Sequence, residues 1–147
     1  MDNQLLPEHT FGYDHNDSSV IWDLKDVWEH AEIYPVVELP IKLFTTFMKA
    51  IQTTYDEDDW EPVKRADLKY PILVGKTTGK YHDPYLVIDG WHRIEKHRSL
   101  GHSKIPVRVI EEMPLPFSVK GKPFEIDGLN FQWKAKRKSS NESWMDW

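Results

Sequence analysis

Apolar positions along the chain change period several times, and each change marks an element. Leu24, Val27, Trp28 and Ala31 recur at helical spacing behind Asp23, a residue type that caps helix starts, so a short helix is expected near 23–32. Pro35-Val36-Val37-Glu38-Leu39-Pro40 reads as a strand closed by proline. Ile41, Leu43, Phe44, Phe47, Met48 and Ile51 return to the helical period and predict an amphipathic helix to about Thr54. Two short runs, Tyr70 to Val74 and Tyr85 to Ile88, are nearly continuous in apolar character, as in strands buried on both faces. The segment Gly75-Lys76-Thr77-Thr78-Gly79-Lys80 supplies turn chemistry between them. A helix follows from Trp91 to about Leu100, stopped by Gly101, and Ile105 to Ile110 is the next strand. Beyond Pro114 and Pro116, Phe124 to Trp133 alternates around Asp127-Gly128, a turn pair that signals a β-hairpin.

The ends are different. Residues 1–20 are polar and irregular and read as a flexible arm, and Lys134 to Trp147 reads as a charged tail. The pattern therefore predicts an α+β chain in three parts: an arm over 1–20, a folded domain over 21–112, and a C-terminal β-hairpin with a basic tail over 113–147.

The absence of cysteine excludes disulfides, thiolate metal sites and cysteine-based catalysis, and fits a reducing compartment. The first residues carry neither a basic stretch nor an apolar core of a secretory signal, and no apolar run reaches the roughly 18 residues of a membrane span. A cytoplasmic protein with no membrane partner is expected. The net charge of −5 is unevenly spread. Residues 1–61 carry fourteen acidic and three basic side chains, whereas residues 91–138 carry eleven basic and five acidic. Such a chain either presents a positive face to an anion or uses the two halves to attract each other within one fold.

Val87-Ile88-Asp89-Gly90-Trp91-His92-Arg93 sets a glycine between a buried strand and a helix start. Helix N-terminal N–H groups and the helix dipole favour an anion there, and glycine lets the backbone approach it closely. Arg93 is able to add a forked contact, and His92 a hydrogen bond or a proton. The structural alternative is a plain turn in which Asp89 caps the helix. Three further clusters carry weaker signals. The acidic run Asp56-Glu57-Asp58-Asp59-Trp60-Glu61 lacks the spacing of a calcium loop and reads as a solvated surface. His92, His97 and His102 do not share one helical face, so they read as exposed residues and no metal site is assigned. Lys134, Lys136, Arg137 and Lys138 beside Trp133 form either a nucleic-acid patch or a solvated tail.

Three segments together carry a family resemblance. Asp67-Leu68-Lys69-Tyr70-Pro71-Ile72-Leu73-Val74, Asp89-Gly90-Trp91-His92-Arg93-Ile94 and Gly101-His102-Ser103-Lys104-Ile105-Pro106-Val107 resemble, in order, the ParB N-terminal-like and sulfiredoxin-like superfamily. Val36-Val37-Glu38-Leu39-Pro40 is similar to its first strand, so the resemblance spans roughly residues 23–110. It implies a small mixed sheet of the ParB/sulfiredoxin type and a nucleotide (ATP, ADP or CTP, with Mg2+) at the 89–93 loop. Sulfiredoxin chemistry is excluded, because Trp91 stands where that branch has its cysteine. A chromosome-partition role is not expected, because the 37 residues after Ile110 do not read as a helix-turn-helix. The free-serine-kinase branch is the nearest analogy, and implies phosphoryl transfer to a small hydroxyl acceptor. On that analogy Glu38, on a first strand expected to border the loop-bearing strand, is the base, Asp89 positions a hydroxyl or metal, His92 assists, and Gly90, Trp91, His92 and Arg93 hold phosphate. The readings of Glu38 as an outward strand residue, and of the whole domain as a non-enzymatic nucleotide- or DNA-associated regulatory module, stand beside it.

Overall fold

Ile72, Leu73 and Val74 are all fully buried, which demands a strand covered on both faces. The computed structural model, which describes residues 7–54, 60–80 and 83–136, supplies that cover. In chain order the elements are β1 (Thr10–His15), β2 (Ser18–Asp23), α1 (Leu24–Ala31), β3 (Val36–Pro40), a 3-10 turn (Ile41–Phe44) leading into α2 (Thr45–Thr54), α3 (Trp60–Arg65), β4 (Ile72–Lys76), β5 (Tyr85–Asp89), α4 (Trp91–Ser99), β6 (Lys104–Ile110) and β7 (Ser118–Lys120). The fold is α+β. Its main sheet has the order β3-β6-β4-β5, with β4 and β6 parallel and both outer pairs antiparallel.

Side chains alternate across β4 as the pleat requires. Ile72 and Val74 join Phe44, Met48, Ile94 and Val107 on one face, where the 3-10 turn, α2 and α4 pack. Leu73 joins Trp22, Val27, Ala31, Ile110 and Leu129 on the other, where α1, β2 and the C-terminal segment pack. Gly75 makes room for the last of these: a Cβ there would lie 2.5 Å from Leu129 Cδ1. Helix α1 forms as its spacing predicts, with the Asp23 carboxylate accepting from the Lys25 N–H at 3.0 Å.

Two sequence expectations are corrected. Residues 10–20, expected to belong to a flexible arm, contribute to a hairpin: β1 pairs antiparallel with β2, and β2 pairs with β7, giving a second, three-stranded sheet. Val20 and Trp22 alternate inward and are fully buried, a period-two signal too short to stand out among polar neighbours. Trp22 also donates its Nε1 hydrogen to the Pro114 carbonyl at 2.8 Å. The second correction is the C-terminal β-hairpin. Its turn exists, with Asp127 at φ 44°, Gly128 at φ 80° and a 2.9 Å bond from the Leu129 N–H to the Ile126 carbonyl. No strand flanks it among the described residues. The backbone on each side is committed elsewhere: Asp127 O accepts from the Thr78 N–H, and Asn130 O accepts from the Met113 N–H. The alternating apolar residues instead cover the core, with Phe131 meeting Trp22 edge-on at 5.2 Å. Of the acidic run, Asp56 to Asp59 lie outside the described residues, while Trp60 and Glu61 open α3.

The hairpin gives a direct test. Deleting residues 1–15 removes Phe11 and Tyr13, which pack on the core, and uncovers β2. Urea denaturation should show a loss of at least about 2 kcal/mol, from the burial of two aromatic side chains. A change within about 0.5 kcal/mol is what a loose arm would give.

Candidate functional site

The end of β5 and the start of α4 form the core of the site. Gly90 is the residue before the helix and adopts φ 117°, outside the ordinary range of a side-chain-bearing residue. A Cβ at this position would lie 2.8 Å from the Arg93 Nη2 and 3.2 Å from Ile72 Cγ1, so the glycine also lets Arg93 fold back across the loop. No side chain caps α4. The capping role open to Asp89 in the sequence is therefore not what it does: its Oδ2 accepts a 2.8 Å hydrogen bond from the indole Nε1 of Trp28, on α1.

Arg93 turns inward. Its Nη2 donates to the Pro71 carbonyl at 3.3 Å, and its guanidinium carbon stands 5.5 Å from the Trp28 ring centre. Its Nε is buried without a hydrogen-bond partner. Burial pulls the Arg93 pKa below its usual value, and the negative charges of Asp89 and Asp67 oppose that shift. Tyr70 meets Trp28 edge-on at 6.4 Å. Trp91 and His92 follow Gly90 with ring centres 3.9 Å apart.

Around this core lies a cleft of about 410 Å³, lined by Pro62, Arg65, Ala66 and the loop residues Asp89 to Arg93. Its far wall is tied to α4 by Lys96, whose ammonium donates to the carbonyls of Lys64 and Ala66 at 2.7 and 2.8 Å. Two arginines, a histidine and a helix start without a side-chain cap thus line one cleft with a single carboxylate, an arrangement suited to a multiply charged anion. A second cleft of about 500 Å³ opens beyond Asp89, between Trp28, Lys25 and His9.

Gly90, Trp91, His92, Arg93 and Asp89 are brought together as the sequence suggested. Glu38 is not beside them. It was expected on a strand bordering the loop-bearing strand, but β3 and β5 occupy opposite edges of the sheet, with β6 and β4 between them. Three strand spacings put roughly 14 Å between the two backbones. The antiparallel register of β3 and β6 places Glu38 opposite Pro106, one step from the pairing of Val107 with Ile72 in the parallel register of β6 and β4. Glu38 is exposed, and its charge reaches His97.

His97 corrects another expectation. It is 5% exposed rather than a surface residue, and its Nδ1 lies 2.9 Å from that of His102. The chain reverses through Gly101, at φ 80°, so His102 returns onto a helix it has already left. Among the described residues no cluster of three or more His, Cys, Asp or Glu is placed to hold a metal ion. In the basic patch, Lys136 pairs with Asp26 of α1 at 3.0 Å, while Arg137 and Lys138 lie outside the described residues. No helix among the described residues is long and apolar enough to cross a membrane.

Trp28 and Arg65 escaped the sequence reading. Trp28 counted only as one position of an amphipathic helix, and Arg65 belongs to a short helix with no periodic signal.

Comparison with known proteins yields a distant likeness of sequence. Over 93 residues the chain is 32% identical to the ATP-dependent L-serine kinase SbnI of Staphylococcus aureus (strain NCTC 8325 / PS 47), a match covering 60% of this chain. The match spans about a third of that relative's length (32%). No family model matches the chain, and no solved structure matches it.

His97 makes stability depend on pH. Burial, then the charges of His102 and Arg93, lower its pKa below 6.5, against the opposing pull of Glu38. The unfolded chain then binds more protons below about pH 6.5, so stability is lost as pH falls through that range and is fully present above about pH 7. His97→Gln should flatten this slope in urea titrations between pH 5 and 7.5. An unchanged slope would mean that other groups produce it.

Proposed function

We propose that this domain binds a nucleoside triphosphate at the start of α4 and transfers a phosphoryl group to a small hydroxyl acceptor. The observation that carries the reading is the uncapped α4 N-terminus behind Gly90, facing a cleft lined by Arg65, His92 and Arg93. Similarity to an ATP-dependent L-serine kinase supports ATP as the donor and makes serine the first acceptor to try. In this chemistry the protein mainly positions phosphates and offsets developing charge. Arg93 and the backbone of Gly90 to His92 would hold the phosphates, with Arg65 closing the cleft and His92 assisting. Mg2+ accompanying the nucleotide needs only one or two protein carboxylates, and Asp89 is the carboxylate on that cleft. The bond from the γ-phosphorus to the leaving diphosphate oxygen breaks as the acceptor oxygen bonds to that phosphorus. The acceptor's proton passes to Glu38, in the role of base.

The width of the sheet between Glu38 and the loop favours a second reading, a regulatory module that binds nucleotide without turning it over. For catalysis, the triphosphate and acceptor must lie across the end of the sheet toward β6.

Calorimetry with ATP, ADP and CTP tests binding, and phosphoserine formation tests transfer. Arg93→Ala should weaken binding by about 1.5–3 kcal/mol, the worth of a hydrogen bond to a charged group. Glu38→Gln should leave affinity within a few-fold and lower turnover by ~10²-fold or more. Normal turnover in Glu38→Gln would end its role as base, and binding without turnover in the unaltered chain would favour the module.

A further inference from the structure

Trp28 lies outside the strand–loop–helix segment, yet it touches both chemical halves of the cleft. Its Nε1 donates to Asp89, and its ring face underlies the guanidinium of Arg93. Its support is fixed, because Val27 and Ala31 on the same helix are fully buried. We propose that Trp28 is a positioning residue of the phosphoryl-transfer site, holding Asp89 with its N–H and Arg93 with its ring; this rests on the nucleotide reading above.

The physical case begins with what Asp89 and Arg93 do not do. An aspartate and an arginine four residues apart, at a strand end and a first helical turn, are suited to a forked ion pair. Such a pair would spend the cation on the carboxylate and weaken the attraction for an anion. Among the described residues no ion pair joins them: Arg93 donates to the Pro71 carbonyl, and Asp89 accepts from Trp28. Indole is a donor only and carries no charge. It therefore orients the carboxylate while leaving its charge in place, and among the described residues it engages one of the two oxygens. The same ring attracts the guanidinium through its π face without occupying any N–H. A single neutral side chain thus keeps two opposite charges oriented and apart, as a site that must bind both a phosphate chain and its cation requires.

Two substitutions separate the two contacts. Trp28→Phe keeps an aromatic face under Arg93 but removes the N–H, whereas Trp28→Leu removes both. Each is titrated with ATP in the presence of MgCl2 and assayed for phosphoserine formation, with thermal melts to verify folding. Trp28→Phe should hold the ATP Kd within about threefold while turnover drops about tenfold or more. Trp28→Leu should also weaken ATP binding by several-fold or more. Because Trp28 acts on turnover through Asp89, Trp28→Phe should add little further loss in an Asp89→Asn background. Should Trp28→Leu fail to fold, Trp28→Phe and the double variant decide the matter alone. Unchanged turnover in Trp28→Phe, or a full additional loss in the Asp89→Asn background, overturns the proposal. Failure of the unaltered chain to bind ATP, ADP or CTP overturns the nucleotide reading itself, a result distinct from a binding, active wild type with a normal Trp28→Phe. A wild type that binds without turnover also overturns the proposal, since Asp89 then serves no step.

Discussion

Burial of β4 on both faces is the constraint on which the rest of the molecule depends. Its three apolar residues need two separate coats, and almost every other element is placed by the coat it supplies. On one face, α4 contributes Ile94, which holds the helix flat against the sheet directly after the turn at Gly90. On the other, α1 contributes Val27 and Ala31, and this seats Trp28 at the rim. The candidate site therefore forms where the two coats meet at one end of the sheet, with its loop from one face and its indole from the other. Asp89 ends β5 itself, so the seating of α1 on the sheet is what brings Trp28 within hydrogen-bond distance of it.

This explains which features were legible in the sequence. The helix at 24–31, the strands at 72–76, 85–89 and 104–110, and the loop at 89–93 all rest on local signals: periodicity, an N-cap, a glycine between strand and helix. The N-terminal hairpin was obscured because β1 and β2 are short and rich in polar residues, and their pairing is completed by β7, about a hundred residues away. The turn at Asp127-Gly128 was legible as a turn, but whether its flanks pair depends on competing partners such as Thr78 and Met113, which no local pattern reveals. Trp28 was read as a core position because helical spacing reports which face is covered, not what the indole N–H finds there.

The order of the sheet was the least legible feature, and it bears most on chemistry. Glu38 and the 89–93 loop were expected to be neighbours because the first strand of the resembling fold was expected to border the loop-bearing strand. The observed order puts β6 and β4 between them. Even so, β3 runs parallel to β5, as two antiparallel pairs flanking one parallel pair require, so Glu38 and Gly90 belong to the same end of the sheet. The separation is lateral, along the rim where both clefts open.

His97 joins these two positions electrostatically. It lies beneath the rim, and both Arg93 and Glu38 act on it, in opposite directions. Burial and Arg93 favour the neutral ring, and its Nε2 has no hydrogen-bond partner. A protonated imidazole here would add a second buried cation beside Arg93 and draw on the charge of Glu38. Keeping the ring neutral adds no second positive charge beside Arg93 and gives Glu38 no cationic imidazole to pair with. The buried Nε2 stays unsatisfied, and the tight packing of α4 against the sheet is what sustains it.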